Sequence, residues 1–136
     1  LNNISSPAQL PGSWQSVGNA SNSGMAIKTD GTLWSWGNGA FGSLGDGSSA
    51  VTPNRRSFPV QVGTDTDWSY MARGGGNVQT AIKTDGTLYN CGRSEDGGLG
   101  HNQGGPSIKI ASMTQLPGIF TGKPSGEDTA LWIKEV

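Results

Sequence analysis

The sequence contains one cysteine, Cys91, and one histidine, His101, among 136 residues. A single cysteine closes no internal disulfide, and a single histidine with no second His or Cys beside it makes no zinc site. Charge is scarce: 14% of residues are ionisable by this count, 9 basic against 10 acidic, for a net −1. Only Arg55-Arg56 places two cations side by side. No basic face is therefore expected to neutralise phosphates, and nucleic acid is not an expected partner. Apolar runs stay far short of the roughly 18–20 residues of a membrane helix, and no charged-then-apolar leader opens the chain. The first residue is Leu1, which reads as a processed product or a fragment. Ala, Leu, Glu and Lys are too few for a helical bundle or coiled coil.

Small residues fill the gap. Gly, Ser, Thr and Asn make up 59 of the 136 residues, 23 of them glycine, a composition suited to many short strands joined by tight turns. An internal repeat organises them. AIKTDGTLWSWG begins at Ala26 and AIKTDGTLYNCG at Ala81, an offset of 55, with eight residues identical in register before the two diverge. GSLG at Gly42 recurs as GGLG at Gly97, and Trp14 answers Trp68 at 54. QLPG occurs at Gln9 and again at Gln115. The chain divides into a first repeat of about 9–62, a second of about 63–114, and part of a third from about 115 to 136.

Within each unit, Asp30-Gly31 and Asp85-Gly86 predict two-residue hairpins of the type I′ class. Met25–Lys28 should pair with Leu33–Trp36, placing Trp34 and Trp36 on one face and Leu33 on the other. Trp14 or Trp68 lies in a preceding strand, and Pro59–Val62 forms an outer one where a proline is tolerable. Four short strands per unit are expected.

The motifs TDGTLWSWGNGAFGSLGDG from Thr29, SFPVQVG from Ser57 and TDGTLYNCG from Thr84 resemble the repeat of the regulator-of-chromosome-condensation family. The second repeat departs from that pattern, with Cys91 in place of Trp36 and Arg93 opposite Asn38. The histidine many members carry ahead of the AI pair is replaced by Ser23 and Val78. The resemblance implies an all-β fold of β-propeller blades, antiparallel and four-stranded. Members commonly close a ring of seven blades in one chain. Two and a fraction blades are incomplete, so the resemblance, together with the need of repeat units for neighbours, predicts completion by oligomerisation, as a symmetric homotrimer.

Catalytic patterns are absent: there is no nucleophile elbow, phosphate loop or triad, and no enzyme activity, cofactor or metal is expected. Asp65/Asp67 and Glu95/Asp96 read as turn residues, Gly74–Gly76 as a tight corner, and Cys91 as a buried spacer. His101 reads as an exposed loop residue. Candidate surface contacts are Phe41, Phe58 and His101, with Arg55 and Arg56 in a long loop spanning Asp46–Phe58. Candidate subunit-packing residues are Trp14, Trp68, Leu131, Trp132 and Ile133. The TDGTLWSWG repeat also resembles those of phage and bacterial surface members. The expected function is accordingly structural, a virion surface component such as a capsid decoration or tail-fibre module meeting capsid or host surface. The alternative is a protein-binding propeller module, extracellular or at the cell surface, that grips a partner through its loops.

Overall fold

The computed structural model describes residues 6–48, 54–72, 75–94, 99–101, 108–121 and 132–134. Among the described residues ten strands follow in order: β1 (Trp14–Ala20), β2 (Ser23–Lys28), β3 (Leu33–Asn38), β4 (Arg55–Gln61), β5 (Trp68–Ala72), β6 (Asn77–Lys83), β7 (Leu88–Ser94), β8 (Ile108–Gln115), β9 (Ile119–Thr121) and β10 (Trp132–Lys134). β1–β4 form one antiparallel four-stranded sheet and β5–β8 a second, each in sequence order, while β9 pairs with β10. The chain is all-β, with two blades and a further two-stranded hairpin.

The β2–β3 pairing is the one the alternating pattern predicts, with Met25 opposite Ser35, Ala26 opposite Trp34 and Ile27 opposite Leu33. The turn differs. Gly31 has φ 85, but among the described residues only Phe41 is a non-glycine with positive φ. Asp30 is therefore not in the left-handed region that a type I′ turn requires at both central positions. Instead Gly31 N–H donates to Lys28 C=O at 2.9 Å, which gives a wider turn closed by a left-handed glycine. The aspartate acts through its side chain: Asp30 Oδ1 accepts from Thr32 N at 3.0 Å and Thr32 Oγ1 at 2.6 Å. Asp85 and Thr87 repeat this. Both carboxyl groups sit below the ordinary aspartate pKa because the threonine side-chain and backbone donors favour the charged form.

The main core lies in the seam between the blades. From blade 1 come Met25, Ile27, Leu33 and Val62; from blade 2 come Trp68, Met71, Ala81 and Cys91, with Tyr89 and Met113 alongside. Burying each of the larger side chains is worth about 1.5–3 kcal/mol before chain entropy is charged against it. Some polar groups along the seam are paired, while the buried Trp68 Nε1 and Ser35 Oγ have no hydrogen-bond partner among the described residues. Met71 N–H donates to Ser16 Oγ at 2.8 Å, and Gln79 Nε2 donates to Ser23 C=O at 3.2 Å. A smaller cluster of Ala72, Ile82 and Leu88, with Tyr70 and Leu116, lies apart from that core.

A glycine-rich loop ties the rims of the two blades together. Leaving β3, it turns through a 3-10 segment at Ala40–Gly42 and then pairs Asp46 with Ser112 of β8. Gly47 N–H donates to Ala111 C=O at 2.9 Å, and Met113 N–H donates to Gly45 C=O at 3.1 Å. At Gly42, φ 80, an added Cβ would stand 2.7 Å from the Ile110 carbonyl oxygen, so only glycine fits this approach. Leu44 is buried within the same loop.

Candidate docking face

The two blades are equivalent in sequence but not in surroundings. In each, one face is built from a β1-type tryptophan, a β2-type lysine and alternate residues of the β3-type strand. In blade 2 this face is Trp68, Met71, Ala81, Lys83, Tyr89 and Cys91, and it is pressed against blade 1. The same positions in blade 1 are Trp14, Val17, Ala26, Lys28, Trp34 and Trp36, on the face of blade 1 turned away from blade 2. Val17 is 69% exposed whereas its counterpart Met71 is 3% exposed. Trp14 is partly exposed whereas Trp68 is buried at 4%.

Trp14 packs edge-on against Trp34 and Trp36, with centroids 6.4 and 6.3 Å apart. Trp36 reaches this position because Gly24 stands opposite it across the strand pair, where an added Cβ would fall 2.3 Å from the indole. In blade 2 the same pair is Gln79 opposite Cys91. The bulk has moved to the other strand, and Gln79 spends its amide on blade 1.

Lysines complete the face. Lys28 Nζ lies 3.8 Å from the Trp34 centroid and 5.3 Å from that of Trp14. Lys83 Nζ lies about equally over Trp68 and Tyr89, at 5.0 and 5.1 Å, and also binds Asp65 at 2.7 Å and Asp67 at 3.2 Å. Burial draws the Lys83 pKa down, but the hydrogen bonds that Lys83 donates to Asp65 and Asp67 outweigh it and raise the pKa above the ordinary 10.5.

The sequence-derived candidates fall elsewhere. Arg55, Arg56 and Phe58 are not in a loop: β4 begins at Arg55, since an outer strand can extend along β3 as far as Asn38, which pairs with Arg55. Arg56 forms a salt bridge with Asp46. Ser48 and Arg56 hold the Asp46 carboxyl below its ordinary pKa even though burial works the other way. Phe58 is 67% exposed on that edge strand. Phe41, at φ 72, is partly buried in the inter-blade rim, with Arg93 Cζ 4.8 Å and Lys109 Nζ 5.5 Å from its ring centroid.

His101 is half-buried rather than exposed, because its ring shares a 2.7 Å hydrogen bond with the amide of buried Asn90, which also donates to Leu99 C=O at 2.8 Å. Trp68 fills the chain's own core and is not offered to a partner copy. Leu131 lies outside the described residues. Trp132 and Ile133 pair in β10 with Thr121 and Phe120 of the same chain. Of the two tryptophan candidates Trp14 and Trp68, Trp14 lies on the open face. Val17 and Lys28 were not singled out by the sequence reading. The signal for both was the comparison at offsets of 54 and 55 with Met71 and Lys83.

Among the described residues no three His, Cys, Asp or Glu side chains cluster as a metal site, and no helix is long and apolar enough to cross a membrane.

Comparison with known proteins agrees with this architecture. Residues 30–78 match the family model of the regulator of chromosome condensation (RCC1) repeat. The chain is 31% identical to the E3 ubiquitin-protein ligase HERC2 of Homo sapiens, and equally to that of Mus musculus; the match covers 83% of this chain and 2% of either relative. It thus spans a small fraction of the curated relatives it matches. Yeast RCC1 (Prp20) bound to Kap60 is similar in structure, with TM-score 0.65 and 22% identity over 80% of this chain and 27% of that one. Human WBSCR16 gives 0.65 and 22% over 85% and 29%. At such identities these likenesses carry the fold, and in length the chain corresponds to a little over a quarter of either neighbour. Taken with the repeated motifs and the paired four-stranded sheets, they show that this chain carries the regulator of chromosome condensation (RCC1) repeat and folds into blades of that type.

Proposed function

We propose that the chain is a non-catalytic protein-docking module, whose first blade receives a further blade of the same repeat type on its Trp14–Trp34–Trp36 face. The observation that carries this is the contrast between Val17 and Met71: equivalent positions, one open to solvent and the other sealed in a blade–blade seam. Repeat units bury their apolar faces on their neighbours, and exposed Val17 beside three half-buried tryptophans is an apolar edge that a neighbour would cover. One structural neighbour, yeast RCC1 (Prp20), is described by its protein associations in two structures, by its complex with Kap60 and by its binding to Gsp1p and histones. This supports a role in binding proteins.

The test duplicates residues 14–67 in place, so that the unit added ahead runs through its own Asp67 into the second Trp14. Val17→Asp should leave the melting temperature of the unmodified chain within about 2 °C, since exposed substitutions change stability little. In the inner copy of the duplicated chain it should lower melting by roughly 5–10 °C, because it buries an unpaired carboxylate. An inner substitution as harmless as the outer one would overturn the reading.

A second reading, distinct from docking of an unlike blade, makes the assembled form structural, a virion surface component built on a symmetric ring of copies. Its support is the low charge, the abundance of Gly, Ser, Thr and Asn, and the likeness between successive repeats. Light scattering reads the ring. A fixed copy number in purified particles is the result expected of the virion role, and absence from every particle would remove it.

A further inference from the structure

The open face has a charge that its buried counterpart does not leave unanswered. Lys83 stands between two aromatic rings and is closed from a third side by Asp65 and Asp67. Those carboxylates belong to neither strand of the lysine's own hairpin. They come from the segment Gly63–Asp67, by which the preceding blade hands the chain on to β5. Lys28 has the same aromatic setting between Trp14 and Trp34, but the segment entering β1 reads Leu10-Pro11-Gly12-Ser13, and no ion pair to Lys28 occurs among the described residues. Asp30, the nearest acid in sequence, is engaged by Thr32.

Resting on the docking reading above, we infer that the partner blade received by this face carries a carboxylate-bearing exit segment, which closes on Lys28 as Asp65 and Asp67 close on Lys83. The apolar half of the seam selects a partner face like that of Met25, Ile27, Leu33 and Val62; the lysine selects among such faces by charge. Covering Lys28 with a neutral segment takes its ammonium out of water with only the indole faces in compensation, a penalty an acidic exit removes. The exit from this chain's own second blade, Gln115-Leu116-Pro117-Gly118, has no carboxylate. The preferred occupant is therefore a blade other than a copy docked through blade 2.

The duplicated chain described above tests this. Asp65→Asn with Asp67→Asn, placed in the first unit only, should lower the melting temperature by roughly 2–4 °C, the shift of a single partly buried ion pair in a chain of this size. The loss should vanish when the inner Lys28 is Met, since the coupling then has no second partner. An equal loss in both backgrounds, or none in either, overturns the inference. If the inner Val17→Asp still costs stability in that case, the docking reading survives and only the charge selection falls. A stable trimer of the unmodified chain, unchanged by Lys28→Met, would also overturn it, by showing that a neutral exit is an adequate occupant.

Discussion

The indole of Trp36 lies directly on the backbone of Gly24, and no side chain larger than hydrogen fits between them. The equivalent pair in blade 2 inverts the sizes, with Gln79 in the glycine's place and Cys91 in the tryptophan's. Each arrangement suits its surroundings. A sheet face pressed on another sheet has room for a thiol and an amide that reaches across, whereas an open face can carry a broad ring.

Gly24→Ala should therefore displace Trp36. The added methyl carbon would stand 2.3–2.7 Å from three atoms of the indole, so the ring must leave its rotamer, at about 1–3 kcal/mol. Urea unfolding should show the lower midpoint, and acrylamide should quench tryptophan emission more strongly. Unchanged quenching would mean that the ring does not rest where described.

Stability should depend on pH at both ends of the scale. The folded-state pKa of Lys83 is raised, so its contribution is whole below the ordinary 10.5 and is lost as pH climbs through the higher folded value. Asp46 is the opposite case. Its folded pKa is lowered, so its contribution is whole above the ordinary 3.8 and fades as pH falls through the lower folded value. As far as these two groups decide it, melting temperature should be nearly flat between the ordinary values of 3.8 and 10.5 and fall beyond them. Asp46→Asn should shrink the acid limb and Lys83→Met the alkaline one. An alkaline limb identical in the Lys83 variant would contradict the assignment.

Cys91 should be chemically silent in the native state. Burial, aided by the charge of Asp46, pushes its thiol up to about 12, and the thiolate is the reactive form. A disulfide reagent at pH 8 should label it only in denaturant, at a rate that follows unfolding. Restoring the repeat's tryptophan by Cys91→Trp should cost 3 kcal/mol or more, because Gly45 and Met113 close over the sulfur and the added ring has nowhere to go. Rapid labelling of the native chain would place the sulfur at the surface instead.

The hairpins were legible because Met25–Lys28 and Leu33–Trp36 alternate around a turn, and the repeat was legible from identities at a fixed offset. The turn type was not. Asp-Gly is shared by two hairpin geometries, and the choice between them lies in the hydrogen bonds of Thr32 and the Lys28 carbonyl. Arg55–Phe58 were read as loop because strand length depends on how far β3 offers an edge, a tertiary property. His101 looked like a surface residue because its partner, Asn90, is eleven positions earlier and reaches it only once the Leu99 turn is made. The open face was half legible: Trp14 and Trp68 repeat visibly, but that Trp68 is buried and Trp14 partly exposed follows only from where the blades stand.

The rim loop gives the chain a direction. The hem of the second blade is stitched to backbone supplied by the first, as Ser112 is to Asp46. The outermost strand of a later unit is thus finished only after its predecessor is in place. Synthesis from the amino end delivers the units in that same sequence, so the growing polypeptide always has the fastening ready before the edge that needs it.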